Sequence, residues 1–116
     1  MDANRAQSLL DAERARVKAL LDEVRTAGRE DRESENEQTD AGDEAEGLTA
    51  EGTDDAVEEG LAGRLAALDR AQRRLDEGTY GRSVRSGRPI PDDRLEADPA
   101  AELTVDEARE AGPAGA

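Results

Sequence analysis

Residues 78–99 read GTYGRSVRSGRPIPDDRLEADP. The stretch holds the only aromatic residue of the chain, Tyr80, and three of its four prolines, Pro89, Pro91 and Pro99. Gly78, Gly81 and Gly87 mark turns, and Pro89 and Pro91 bracket Ile90 in an extended X-Pro run. The stretch therefore reads as a compact, non-helical knot that interrupts a chain otherwise patterned as charged helix.

Upstream of the knot, two apolar stripes appear. Residues 3 to about 33 carry Leu10, Val17, Leu20, Leu21 and Val24 at three-, four- and seven-residue spacings. Residues 53–77 carry Val57, Leu61, Leu65, Leu68 and Leu75 in the same manner. Each stripe is narrow, which suits packing against one partner helix. Thr53 or Asp54 is a reasonable N-cap for the second helix, and Gly78 is its expected stop. Gly60 and Gly63 either weaken this arm or permit close approach of the first.

Between the stripes the chain is acidic and polar, with RESENEQTDAGDEAEG at 32–47. By composition this is a loop or frayed region, although Ala45 is a possible earlier start for the second helix. Together these signals predict a mostly α fold, a long antiparallel helical hairpin of coiled-coil type over 1–77. The acidic tip lies near 34–52, a small lobe spans 78–111 with a short final helix from about Val105, and 112–116 is a disordered tail.

Composition narrows the function classes. The chain has 116 residues, a formal net charge of −14, and no Cys, His, Phe or Trp. Such acidity disfavours direct nucleic-acid binding and anionic membrane surfaces. Catalysis is a poor expectation too, because carboxylates and Tyr80 need a pocket that shifts their pKa values and apolar mass is scarce. With no long apolar run the expected location is the cytoplasm. The chain is expected to be a monomer.

The knot resembles the zinc-finger segment of the DksA/TraR family of bacterial transcription regulators. The resemblance rests on Gly78-Thr-Tyr-Gly81, Gly87, Ile90, Arg94-Leu-Glu-Ala97 and Pro99, and extends over roughly residues 40–110. Family members carry four zinc-ligand cysteines, whose places are held here by Ser83, Ser86, Thr104 and Glu107. Structural zinc takes Cys thiolates and His imidazoles, so the lobe is expected to lack zinc. Thr104-Val-Asp-Glu107 spells a T-x-x-E capping box instead, and Ser83 and Ser86 are suited to bonding turn amides. Arg82, Arg85 and Arg88 alternate with the serines and are candidate partners for Glu102, Asp106 or Glu107. Arg94 and Tyr80 are expected to lock the knot onto the hairpin base.

Asp40-Ala-Gly-Asp43-Glu-Ala45 spells D-x-x-D-x-A, the motif the family carries at its hairpin tip. Chance also produces D-x-x-D easily in a chain with 30 acidic residues. The resemblance implies a non-enzymatic regulator that binds RNA polymerase through its secondary channel, without sequence-specific DNA contact, using Asp40, Asp43 and Ala45. The alternative is an acidic helical interaction protein of the same ancestry with a different partner. Gly42 inside the motif and the glycines of the second arm weigh towards that alternative.

Overall fold

A computed structural model describes the backbone of residues 1–38 and 44–111, and side chains outside 30–54 within those ranges. Four helices follow in order: α1 (Ala3–Gln38), α2 (Glu44–Glu77), α3 (Asp92–Ala97) and α4 (Val105–Ala111). Asp40, Asp43 and the tail 112–116 lie outside the described residues.

The helices continue through much of the acidic stretch that composition marks as a loop. No proline occurs before Pro89, and seven of the eleven residues at 28–38 are Glu, Gln or Arg, which are good helix formers, so α1 continues to Gln38. The earlier start of α2, near Ala45, is the one realised.

The chain divides into two compact units, one of Met1–Arg14 with Ala66–Ala116 and one of Ala15–Leu65. In the first, Ala6 and Leu10 of α1 and Leu68 and Ala71 of α2 are buried. Gln7 and Gln72 exchange side-chain amide hydrogen bonds at 2.8 Å, and Arg14 pairs with Asp69. As α1 advances from 7 to 14 its partners retreat from 72 to 69, so the helices run antiparallel.

In the second unit Val17 and Leu21 are buried, and Val24, Leu61 and Leu65 are half-buried. Arg25 Nε donates to Glu58 Oε1 at 2.7 Å. Leu20 and Val57 belong to the apolar stripes but are 37% and 47% exposed. Leu20 stands about 100° round the helix from buried Leu21. Val57 precedes Glu58, whose carboxylate pairs with Arg25.

The close approach at Gly60 and Gly63 is not found. A Cβ at either position would meet nothing within 4 Å. Both glycines then impose only their backbone-entropy cost. Gly60→Ala and Gly63→Ala are each expected to raise stability by roughly 0.5–1 kcal/mol in chemical denaturation. A loss of stability at either position would contradict the open surroundings described here.

Candidate functional site

The lobe begins where α2 ends. Gly78 has φ 83°, a conformation in which its missing Cβ avoids the left-handed steric cost. Its amide donates to Leu75 O at 3.2 Å, and the Thr79 amide donates to Arg74 O at 2.8 Å. This is a Schellman stop, and it satisfies carbonyls that the last turn leaves without partners.

The chain then folds back on itself. The Ser83 amide donates to Arg88 O and the Ile90 amide to Gly81 O, both at 2.8 Å, with an antiparallel bridge between Arg82 and Pro89. This ribbon leads into α3, which replaces the expected non-helical end of the knot. Pro91, with φ −58° and ψ 146°, is the residue before the helix, and its carbonyl accepts from the Arg94 and Leu95 amides. Asp92 and Asp93 occupy the first turn, where negative charge is favoured.

Ile90, Leu95 and Ala101 form the apolar centre of the lobe, with Tyr80 packed against them. The Tyr80 hydroxyl donates to Pro99 O at 2.8 Å. Burial raises the pKa of this phenol, the Arg74 charge lowers it, and Asp98 raises it again. Arg94 Nε donates to Leu103 O at 2.9 Å. Tyr80 and Arg94 therefore lock segments of the lobe to one another, in place of the expected lock onto the hairpin base. The ties to the helix ends are ionic: Arg70 reaches Glu102 at 2.8 Å, Arg5 reaches Glu96 at 3.5 Å, and the Met1 amino group reaches Asp92 at 3.0 Å. Glu102 thus pairs with Arg70, and with Arg74 at 3.6 Å, in place of the ribbon arginines. Of those, Arg85 reaches Glu110 at 3.4 Å and Arg82 donates to Gly87 O at 3.3 Å.

Ser83 and Ser86 meet within the ribbon, and Thr104 and Glu107 meet at the start of α4. The capping box is formed, with the Thr104 amide donating to Glu107 Oε1 at 3.1 Å and the Glu107 amide to Thr104 Oγ1 at 3.3 Å. Ser83 Oγ accepts from the Arg85 and Ser86 amides at 3.1 and 3.2 Å, and Ser86 Oγ accepts from the Arg88 amide at 3.2 Å. Ser83 and Glu107 are only 4% and 8% exposed. Hydrogen bonding, that of Ser83 first, holds the Glu107 pKa down at about 2 against the opposing effect of burial.

The four residues do not fit zinc. Hydroxyls keep their protons at neutral pH, and those of Ser83 and Ser86 are already engaged by backbone amides. A single carboxylate is left where four soft or borderline ligands are needed. Among the described residues no group of three or more His, Cys, Asp or Glu side chains is placed to hold a metal ion.

No family model matches the sequence, and neither does any curated protein. A solved structure does: that of transcription factor DksA2 from Pseudomonas aeruginosa. It aligns with a TM-score of 0.81 over 94% of this chain and 81% of that one, at 23% sequence identity. The chain has the DksA fold. In its terms, the hairpin is α1 and α2 and the lobe is the ribbon with α3 and α4. The D-x-x-D-x-A motif falls in and beside the connection between the two hairpin helices. Asp40 and Asp43 lie outside the described residues, and Ala45 is the second residue of α2. Among the described residues no helix is long and apolar enough to cross a membrane.

Two outcomes follow for the lobe. Elemental analysis of the purified protein is expected to find no stoichiometric zinc, and about one metal per chain retained through dialysis would refute this. Thr104→Ala removes one half of the capping box and is expected to cost roughly 0.5–2 kcal/mol in thermal or denaturant unfolding. An unchanged melting curve would count against the box.

Proposed function

We propose that this chain is a non-enzymatic regulator of transcription that binds RNA polymerase through the secondary channel with its hairpin tip. One observation carries the reading: a chain with the DksA fold has D-x-x-D-x-A at 40–45, where Gln38 ends one hairpin helix and Glu44 begins the other. Helices of 36 and 34 residues are each about 50 Å long. In this reading Asp40 and Asp43 supply negative charge near a divalent cation or basic channel residues, and Ala45 leaves room for close contact.

The lobe has no part in that chemistry. Its role is to hold the ends of the two hairpin helices, through Arg70–Glu102 and Arg5–Glu96. The replacement of zinc ligands there leaves the tip residues untouched. The net charge of −14 fits a protein partner with basic surface better than DNA. The protein acts as a cytoplasmic monomer.

Pull-down of core RNA polymerase with the purified chain tests the proposal. Wild-type protein is expected to retain polymerase, less so as salt rises, since exposed charges are screened within about 8–10 Å at physiological ionic strength. Asp40→Asn with Asp43→Asn is expected to lose most of this retention with helicity intact. Absence of binding by wild type, or full retention by the double variant, would favour an acidic helical protein with another partner.

A further inference from the structure

Basic charge is scarce in this chain, yet the ribbon concentrates it. Residues 78–91 carry Arg82, Arg85 and Arg88 and no acidic residue, in a chain with 30 acidic and 16 basic residues. Arg82 and every residue from Val84 to Pro89 are exposed. Val84 lies between Arg82 and Arg85 and is 56% exposed, the highest value for a large apolar side chain among the described residues. Its amide donates to Glu102 O at 2.9 Å while its side chain stays in solvent.

The turn that carries these groups is internally braced. Ser83 Oγ accepts from the Arg85 and Ser86 amides, Ser86 Oγ accepts from the Arg88 amide, and the Gly87 amide donates to Ser83 O at 2.9 Å. The backbone is therefore ordered before any partner arrives, which lowers the entropic cost of binding. The guanidinium groups are mostly uncommitted. Arg82 donates to Gly87 O within the turn, and Arg85 meets Glu110 at 3.4 Å with both side chains more than half exposed. The Arg88 guanidinium has no partner among the described residues. We propose that the ribbon tip is a second docking surface for the protein partner, one that takes a face of carboxylates around a small apolar patch.

A guanidinium fork matches carboxylate and phosphate alike. Two facts select a protein. The net charge of −14 repels a nucleic acid, and it equally repels a second copy of the chain. Val84 gains from burial against an apolar group and gains nothing against a phosphate backbone. Arginines around an apolar centre are a composition that protein interfaces favour. The proposal rests on the polymerase reading above. The same partner is then met by groups of opposite sign, acidic at the hairpin tip and basic at the ribbon.

Titration of labelled core RNA polymerase with the purified chain separates the two contacts. Arg85→Glu with Arg88→Glu is expected to weaken binding about fivefold or more. Val84→Ser is expected to weaken it as well, and Arg85→Lys with Arg88→Lys is expected to bind more tightly than the glutamate variant. The near-ultraviolet circular dichroism of Tyr80, which packs in the lobe core, is expected to be unchanged in all three. Wild-type affinity in the glutamate or serine variant overturns this inference and leaves the hairpin-tip reading standing. Absence of binding by wild type overturns both. A short DNA duplex bound by wild type and lost by the glutamate variant would put nucleic acid on the ribbon. Sedimentation showing wild-type dimers that this variant lacks would put a second copy there, and either result overturns the proposal. If the double glutamate variant loses the Tyr80 signal, Arg88→Glu alone decides, because that side chain has no partner to lose. Weaker binding with the signal intact supports the proposal, and unchanged binding contradicts it.

Discussion

The lobe must close without thiolate or imidazole, and among the described residues backbone hydrogen bonds and ion pairs carry that constraint. Cys and His are absent, so every cross-link between the ribbon and α4 has to be a hydrogen bond or an ion pair. Exposed ion pairs such as Arg85–Glu110 are worth about 0–1 kcal/mol each. Glu107 differs because it is buried and its carboxylate accepts from the Thr104 amide. Around it the apolar centre of Ile90, Leu95, Ala101 and Tyr80 is small. A metal would fix four side chains at one point. Here Thr104 and Glu107 cap α4, and Ser83 accepts from the Arg85 and Ser86 amides within the ribbon.

The consequences run outward from the lobe to the ends of the helices it meets. Arg70 and Arg74 on α2 share Glu102, and Arg74 O accepts the amides that stop the helix. One Arg74 nitrogen is buried without a hydrogen-bond partner, while its charge acts on the Tyr80 phenol. The helix stop, the aromatic anchor and the acidic clamp therefore meet on one residue.

Much of this was legible in the sequence, for reasons that are local. Heptad-like spacing identified Leu10, Val17, Leu21 and Leu68, because a narrow stripe has only one face to bury. Gly78 and the T-x-x-E box announced a helix end and a helix start through backbone chemistry confined to a few residues. What stayed hidden depends on chain segments meeting from a distance. Glu102 drew Arg70 and Arg74 across 32 and 28 residues, and the ribbon arginines nearer in sequence were outside its reach. Burial of Ala6 and Ala71 has no signal in a scan for large apolar residues. The helix at Asp92–Ala97 was masked by the turn-forming run before it, although Pro followed by two acids is itself a helix-start pattern. The helical backbone at 28–38 was masked by its polarity, because composition measures burial and says little about propensity.

Native-state hydrogen exchange on the metal-free protein tests the central claim most directly, since it reads each backbone amide in turn. The amides of Ser83, Val84 and Ile90, and that of Glu107 bonded to Thr104, belong to the closed lobe. A lobe closed by hydrogen bonds alone predicts that these amides are protected together at neutral pH in the presence of chelator. Exchange of all four at the rates of an unstructured chain, with the α1 and α2 amides still protected, would contradict it.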